Sequence, residues 1–294
     1  MELNDLLLKA GIDPKQVLVF RHRPKEPALN KVLPWLAAEK SELFNAYQQT
    51  QGATVEKAMC KASYVASFIR YESGQALFVG LYAIGKSKPL TRDKYWKIPA
   101  YVELKKHGME GFTRKDRRPS VLWFDLILKD DFYASWKGKL IVNWPGNDRS
   151  WWRRAHRKKN KLDVLAILEE SDLVKGMPNW DEIDWTWEEL RNIPTRWKER
   201  LAGWRGIYFI FDESASKGYV GSAYGEDNLR RRWGKYAANG HGGNVLLKNC
   251  IPENLRYSIL QLVSQSTSIK EVSELENKWK KRLHTRFPHG FNRN

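Results

Sequence analysis

The sequence predicts an α+β protein of two domains. The N-terminal domain should combine helix with a β-rich, Trp-rich, barrel-like sheet, and the C-terminal domain should be a small three-stranded sheet with flanking helices. Three observations predict this. A chain of 294 residues with 42% hydrophobic content can bury two ordinary cores. The apolar period changes from helical to strand-like after Gly52, and residues 204–294 alternate short strands with longer helical segments.

The N-terminal domain is predicted to begin with helix and to continue as sheet. Within residues 1–50, Pro34 suits a helix start, and Gly52 ends the helical pattern. The apolar positions of that pattern are Leu33, Leu36, Leu43 and Tyr47. Four later runs predict strands, and Glu-Ser-Gly-Gln between the first two predicts a β-hairpin. These runs are 64–71, 76–84, 121–128 and 139–144.

The domain junction is predicted after a Trp-rich acidic stretch that contains Trp180, Trp185 and Trp187. Pro178 and Pro194 flank this stretch, and a short amphipathic segment follows it. We therefore expect an N-terminal domain at 1–193, a linker at 194–203 and a C-terminal domain at 204–294.

The C-terminal domain has a compact predicted order of elements. Asp227 offers a helix cap between its second strand and its first helix. The predicted strands are 206–212 (GIYFIFD), 218–222 (GYVGS) and 256–263, and the predicted helices are 228–238 and 269–283.

Charge gives the first indication of a partner. The chain has 51 Lys and Arg against 34 Asp and Glu, which leaves a net charge of +17, and its pI is about 9.7. The basic excess is 7 from Leu201 onward and 10 in the residues before it. Because polyanions are the natural partners of such a surface, we expect both halves to contact phosphate groups.

Several classes of protein are excluded by composition. Cys60 and Cys250 have neither disulfide-framework nor zinc-ligand spacing. No apolar run reaches the length of a membrane span, and the N-terminal residues MELNDLLLKAGIDPKQ lack the features of a signal peptide. We expect a cytoplasmic protein with no membrane partner.

Two tripeptides and three later features resemble a known family. Gly206-Ile207-Tyr208 is followed, eleven residues after the tyrosine, by Tyr219-Val220-Gly221. This pattern resembles the signature of GIY-YIG nucleases. The later features of that family are matched in order by Arg232 with Tyr236 on the first helix, by Glu276 on the last helix, and by the ending Gly-Phe-Asn-Arg-Asn. That ending is similar to the Gly-x-Asn-x-Asn close of restriction-type members, which makes Asn292 a candidate site residue.

The resemblance implies a metal-dependent endonuclease with Mg²⁺ or Mn²⁺ as cofactor. Hydrolysis of a phosphodiester needs a metal, a base for the water and a cation for the added negative charge. Glu276 is the metal-ligand candidate, because Val272 at i−4 and Trp279 at i+3 place its carboxylate beside an apolar stripe. Glu274 falls on another face of the helix and is the alternative ligand.

Arg232 is the candidate for holding the scissile phosphate. Leu229, Trp233 and Tyr236 mark the packed side of the helix, and Arg232 lies closest to that side within the run of three arginines. A guanidinium fixed there can bind phosphate at two points. Arg230 and Arg231 are expected to contact neighbouring phosphates or water.

The two tyrosines of the signature lie on adjacent predicted strands. By resemblance, Tyr208 is the candidate general base, and Tyr219 would order the water or a metal-bound ligand. A cationic, metal-bearing cleft is expected to lower a tyrosine pKa, and Lys217 could assist. Some members carry a lysine directly after the YIG glycine, where this chain has Ser222.

His241 matches a histidine that some members use near the phosphate. It lies in the loop Asn-Gly-His-Gly-Gly-Asn, and a lone loop histidine is often structural.

Aromatic and basic residues alternate at one site of the N-terminal domain, in the run Arg-Ser-Trp-Trp-Arg-Arg-Ala-His-Arg-Lys-Lys-Asn-Lys at 149–161. Such a run suits a groove that follows phosphates and stacks on bases. The alternative is a pair of tryptophans that closes a barrel, followed by a solvated basic loop. The candidate contacts are Trp151, Trp152, Arg153, Arg154, Arg157, Lys158 and Lys159, and a smaller cluster adds Arg117 and Arg118.

The sequence therefore predicts a DNA endonuclease of restriction or phage-defence type that works as a monomer or as a transient dimer on DNA. The N-terminal domain would recognise the target, which could be a modified base held between aromatic walls. A repair or mobile-element nuclease and an inactive nucleic-acid-binding protein are the alternatives. The target, a preference for DNA over RNA, and nicking against double-strand cleavage stay open at this point.

Overall fold

The computed structural model describes residues 1–146, 150–157, 160–174 and 176–293. Contacts within the chain divide it into two compact units, Met1–Lys175 and Gly176–Asn294. Within the described ranges, every helix is too short or too polar to cross a membrane.

Among its described residues, the N-terminal unit contains one curled, half-barrel sheet of seven strands. These are β1 (Val17–His22), β2 (Tyr64–Arg70), β3 (Gln75–Thr91), β4 (Ser120–Leu128), β5 (Leu140–Asn143), β6 (Trp152–Arg154) and β7 (Val164–Ile167). The order is β6-β1-β2-β3-β5-β7, and β4 also pairs with β3. Strands β1 and β2 are parallel, and the other pairs are antiparallel. The predicted α+β class with a barrel-like N-terminal sheet is confirmed, and β2 and β3 form the predicted hairpin.

Apolar layers cover both faces of this sheet, because side chains alternate along each strand. Leu18 and Phe20 of β1 face one layer, whereas Val17 and Val19 face the other. The helices of the unit are α1 (Leu3–Lys9), α2 (Pro27–Glu39), α3 (Ser41–Gln49), α4 (Ala53–Met59), α5 (Arg92–Tyr95) and α6 (Pro99–Lys106). Helices α2 to α6 contribute to the first layer, and α1 packs on the second.

The prediction for residues 1–50 was wrong in two respects. Residues Val17–His22 form a strand that is buried along its whole length, and a strand buried on both faces has no alternation to reveal it. Pro34 lies inside α2, which begins at Pro27. The face formed by Leu29, Leu33, Leu36 and Ala37 is buried, and this burial offsets the backbone hydrogen bond that Pro34 removes.

The C-terminal unit is built on an antiparallel sheet in the order β10-β9-β11-β8. The predicted strands correspond to β9 (Arg205–Asp212), β10 (Lys217–Ala223) and β11 (Leu255–Val263), and β8 (Asp184–Thr186) adds a fourth. The helices are α7 (Trp187–Arg191), α8 (Thr195–Gly203), α9 (Asn228–Asn239) and α10 (Ile269–Arg282). Helix α9 covers the face that carries Tyr208 and Ile210, and α10 covers the face that carries Ile207 and Val220.

Residues upstream of 204 belong to the fold of this unit. Strand β8 pairs with β11, and the segment predicted as a linker forms α8. Ile183, Leu190 and Leu201 are buried in the core that contains Tyr208. The boundary between units therefore lies at 175/176 rather than at 194–203. The buried Ile183, Leu190 and Leu201 pack residues 176–203 against the C-terminal sheet. Asp227 precedes α9 with a left-handed φ of 59°, and its side chain makes no capping hydrogen bond.

Candidate active site

Two glycines fix the position of Tyr208 in the C-terminal sheet. Gly221 of β10 is the register partner of Tyr208 in β9, and a Cβ atom there would overlap the tyrosine hydroxyl. A Cβ atom on Gly206 would overlap the backbone carbonyl of Gln261, where β11 has an irregular register. The close approach of the Tyr208 ring to Gly221 and of the Gln261 carbonyl to Gly206 therefore requires glycine at both positions of the signature.

Arg232 joins two tyrosine hydroxyls. Its Nε donates to the Tyr208 hydroxyl at 2.8 Å, and one terminal nitrogen donates to the Tyr236 hydroxyl at 3.2 Å. The two hydroxyl oxygens are 3.1 Å apart, and the guanidinium carbon lies 5.3 Å from the centre of the Tyr236 ring. The buried side chains of Leu229, Trp233 and Tyr236 hold this face of α9 against the sheet, as their spacing predicts. The guanidinium is thus fixed before any substrate binds.

The surroundings of Tyr208 in the protein oppose the expected lowering of a tyrosine pKa. Its side chain is 0% exposed, and burial raises its pKa well above the usual range, with Tyr236 and Tyr219 adding to the rise. The charge of Arg232 acts in the opposite direction but is the smaller influence. Burial likewise raises the pKa of Tyr236. Desolvation of the phenolate outweighs its attraction to the nearby guanidinium.

A cleft of about 390 Å³ lies beside this network, near the C-terminal end of β10. Tyr219 is half-buried and lines the cleft, whereas Tyr208 lies behind it. The charged and hydroxyl-bearing residues that line the cleft are Tyr219, Ser222, Tyr224, Glu226, Arg231, Arg232, Lys235 and Glu276. The cleft therefore brings together the predicted Tyr219, Arg232 and Glu276 from three separate elements.

Glu276 reaches the cleft from α10, on the opposite side of the sheet from α9. Val272 is buried, and Trp279 packs beside it, which sets the rotation of the helix. The Glu276 side chain is 20% exposed, and its Oε1 lies 2.7 Å from the Nζ of Lys280. Its Oε2 accepts a short hydrogen bond from the Ser222 hydroxyl. Glu274 is exposed and does not line the cleft.

The oxygen donors of the cleft fit a hard divalent cation. Glu276 supplies one carboxylate, and the hydroxyls of Tyr219 and Ser222 lie in the same cleft. No cluster of three or more His, Cys, Asp or Glu residues suited to a metal exists in the described part of the chain. Mg²⁺ is commonly bound by one or two carboxylates together with waters and substrate phosphates, so a single carboxylate is compatible with it.

Lys217 is not brought to this cleft. It lies at the other end of β10 from Ser222, and its Nζ donates to the carbonyl of Pro288 at 2.9 Å. It lines a separate cavity with Cys250 and Phe287. A role in lowering the pKa of Tyr208 therefore has no support from its position.

Asn292 is a clamp on the backbone of β10. Its side chain is buried, and its Oδ1 accepts from the amide of Val220 at 2.9 Å while its Nδ2 donates to the carbonyl of Val220 at 2.8 Å. Because Val220 lies between Tyr219 and Gly221, Asn292 fixes the strand that carries both.

His241 and Arg230 also lie outside the residues that line the cleft. The Nδ1 of His241 accepts from the amide of Gly243 at 3.0 Å, which orders the loop after α9. Gly242 in that loop packs against the ring of Tyr236. Arg230 and Arg231 are both exposed, but only Arg231 lines the cleft.

Sequence reasoning missed three charged residues of this region. Glu226 and Lys235 line the cleft, and Lys280 contacts the Glu276 carboxylate. Helical spacing could have indicated two of them, since Lys235 is three residues after Arg232 and Lys280 is four after Glu276. Nothing in the sequence places Glu226, which lies in the loop between β10 and α9.

The basic and aromatic run of the N-terminal unit is largely part of its fold. Trp151 and Trp152 are half-buried and pack on the core, which favours a structural role, although the sheet is an open half-barrel that they do not close. Arg153 is 7% exposed, and its guanidinium lies 4.2 Å from the centre of the Trp144 ring and donates to the carbonyl of Pro145. Arg154 is half-buried and Arg157 is exposed, and Lys158 and Lys159 lie outside the described residues.

The two arginines of the smaller basic cluster also have different environments, one paired and one exposed. Arg118 pairs with Asp116 at 2.7 Å and with Glu56 at 2.9 Å, so two carboxylates already neutralise its charge. Hydrogen bonding to Arg118 holds the pKa of Asp116 below its usual range. Arg117 is exposed and remains available to a polyanion.

Residues 205–290 match the family model described as the GIY-YIG catalytic domain. No curated protein and no solved structure matches the chain. The C-terminal unit therefore carries a GIY-YIG catalytic domain of the nuclease type, as the resemblance implied.

Proposed function

We propose that this protein is a divalent-metal-dependent endonuclease that hydrolyses DNA phosphodiester bonds in restriction or phage defence, and that its N-terminal unit selects the target. The observation that carries the proposal is the cleft in the GIY-YIG domain, where Arg232, held by Tyr208 and Tyr236, shares the cavity with Tyr219 and Glu276.

Arg232 is the residue proposed to bind the scissile phosphate. Its Nε and one terminal nitrogen are engaged by the tyrosine hydroxyls, and its side chain also lines the cleft. A prearranged guanidinium stabilises charge that develops on the phosphate without having to reorganise during the reaction. Arg231 and Lys235 line the same cleft and would contact adjacent phosphates.

Glu276 is proposed to hold Mg²⁺ or Mn²⁺, with Tyr219 and Ser222 as nearby oxygen donors. Such a cation, when bound, draws negative charge from the phosphate. The part played by the protein is to aim the Glu276 carboxylate into the cleft, which the packing of Val272 and Trp279 achieves.

Tyr208 is proposed to accept, as its phenolate, the proton of the attacking water, with Arg232 Nε donating to its oxygen. A hydrogen bond donated by a cation favours the phenolate, although burial opposes it. Tyr219 is the competing acceptor, because its side chain lines the cleft. A separate pair of phenylalanine variants distinguishes the two.

The N-terminal unit is proposed as the target reader. It forms a separate compact unit with its own seven-stranded sheet, and the exposed Arg117 and Arg157 offer cations for a DNA backbone. The Trp-rich sequence of this unit supports the further proposal that a modified base is the target, because a flipped base is commonly held between aromatic side chains.

The test is incubation of the full chain with unmodified and base-modified phage DNA, with Mg²⁺ and with chelator. We expect Mg²⁺-dependent cleavage that differs between the two DNAs. Equal cleavage of both DNAs would contradict modified-base recognition, and equal cleavage in chelator would contradict the metal requirement.

A fragment tests the role of the N-terminal unit. The fragment should begin at Gly176, because β8 and α7 complete the C-terminal core, and we expect it to fold and cut with little selectivity. A fragment that begins at Pro194 loses the buried Ile183, Trp185 and Leu190 and should be much less stable. Full selectivity in the longer fragment would place recognition in the C-terminal unit instead.

A further inference from the structure

Lys280 is a buried lysine that does not line the cleft but contacts Glu276, which does. Only 7% of the residue is exposed, and its ammonium lies 2.7 Å from Oε1 of Glu276. Ser222 donates to Oε2 of the same carboxylate. Both oxygens of the proposed metal ligand are thus engaged by side chains of the chain itself.

This pair differs from an ordinary ion pair along a helix surface. Exposed pairs four residues apart are well hydrated and contribute little, whereas a buried ammonium requires a partner because desolvation is costly. The neighbouring Lys281 and Arg282 are exposed, so Lys280 is the one lysine of this basic turn that the fold turns toward Glu276 among the residues described. Its charge therefore acts mainly on that carboxylate.

The surrounding charges oppose a further cation. Arg231, Arg232 and Lys235 line the cleft, and Glu226 and Glu276 are its only carboxylates among the described residues. An ammonium within ion-pair distance of the ligand carboxylate repels a divalent cation that approaches the same oxygens. It also competes with that cation for Oε1.

We propose that Lys280 is a positioning residue that holds the Glu276 carboxylate and weakens the affinity of this site for divalent cations. The inference rests on the proposed function, in which Glu276 is the metal ligand. Lys280 acts through Glu276 and contacts no reacting atom.

The experiment is a Mn²⁺ titration of the full chain, followed by the EPR signal of free Mn²⁺. Lys280→Met retains the apolar stem and removes the charge, and we expect it to bind Mn²⁺ about tenfold more tightly than the parent. Lys281→Met, which removes the same charge from the exposed neighbouring position, should change the affinity by less than about twofold. Lys280→Arg should stay close to the parent, and Glu276→Gln should lose the site.

Thermal unfolding gives a second readout without cleavage. In chelator, Lys280→Met should melt below the parent, because the partly buried Glu276 carboxylate loses its ion-pair partner. Mn²⁺ should then raise the melting temperature of Lys280→Met more than that of the parent, since tighter binding to the folded state stabilises it more. A purely structural lysine would lower both melting temperatures equally. Lys280→Gln serves as the neutral variant if the methionine variant does not fold.

The outcomes separate this inference from the proposed function. Mn²⁺ binding that Glu276→Gln abolishes but Lys280→Met leaves unchanged or weakens would overturn the role of Lys280 alone. If the parent and Glu276→Gln bind Mn²⁺ equally, the metal role of Glu276 and the role of Lys280 both fail.

Discussion

Two arginines with similar sequence surroundings have opposite environments in this protein. Arg232 occurs in Arg-Arg-Arg-Trp, and Arg153 occurs in Trp-Trp-Arg-Arg. Arg232 is bound by two tyrosine hydroxyls and lines an open cleft, whereas Arg153 is buried on the ring of Trp144 with a backbone carbonyl as acceptor. An alternation of basic and aromatic residues therefore indicates a buried structural arginine as readily as a phosphate contact. If this distinction is sound, variants of the cleft should impair chemistry, and variants of the N-terminal cluster should impair stability.

Glu276→Gln should give the largest effect. The amide keeps the shape of the side chain but loses the charge that a divalent cation requires. We expect cleavage to be abolished while DNA binding, measured by fluorescence anisotropy, stays nearly unchanged. Parent-like cleavage would remove Glu276 from the site.

Arg232→Ala should lower the single-turnover rate by two or more orders of magnitude, about 2.7 kcal/mol or more of transition-state stabilisation. Arg231→Ala is the matched control, because Arg231 lines the same cleft but is exposed. It should mainly weaken DNA binding. An effect of Arg232→Ala confined to affinity would reduce Arg232 to a docking residue.

Tyr208→Phe should lower the cleavage rate sharply without unfolding the protein, since ring volume is kept. Burial holds the pKa of Tyr208 above its ordinary value of 10, so its ionised fraction stays small at neutral pH. The rate of the parent should therefore rise about tenfold per pH unit throughout the range below the pKa of Tyr208, and the variant should lose this dependence. Loss of the pH dependence in Tyr219→Phe, with Tyr208→Phe unaffected, would transfer the role to Tyr219. The same loss in His241→Ala would transfer it to His241.

His22 should make the stability of the N-terminal unit sensitive to acid. Burial lowers its pKa from 6.5 to about 4, so the folded state favours the neutral ring. The resulting stability is present above about pH 6.5 and is lost as the pH falls toward 4, to a total of about 3 kcal/mol. Denaturant unfolding at pH 7 and pH 4.5 measures it. His22→Phe is the control, which should flatten this part of the profile, and an unchanged profile would exclude His22 as its source.

Arg153→Ala should have the smallest effect on chemistry. We expect a loss of about 1 to 2 kcal/mol in the free energy of unfolding, because the packing on Trp144 and one hydrogen bond disappear. The cleavage rate at saturating DNA should not change. Weaker DNA binding at unchanged stability would show that Arg153 contacts DNA, and the contrast drawn between Arg153 and Arg232 would then be wrong.

Local patterns were sufficient for much of the C-terminal unit. The strands at 206–212, 218–222 and 256–263 lie within one residue of those observed, because each is a short run rich in apolar residues that is bounded by turn residues. Strand β8 was not anticipated, since three residues carry little periodic signal and its pairing with β11 is long-range. Strand β1 was missed because its short apolar run lies within a segment that was interpreted as helical, and burial on both faces leaves no alternation to mark it as a strand.

The sequence by itself determined which residue types the site contains and in what order they occur. Glycine at positions 206 and 221 allows the neighbouring strands to pack closely around Tyr208. The helical spacing of Leu229, Trp233 and Tyr236 turns Arg232 toward the sheet. Only the tertiary structure decided the electrostatic state of these groups. Elements distant in sequence bury Tyr208 and so raise its pKa. Packing against the sheet also buries Lys280 beside Glu276, and the fold holds Lys217 away from the cleft. Desolvation and charge pairing are set by those neighbours, and a local sequence pattern does not contain them.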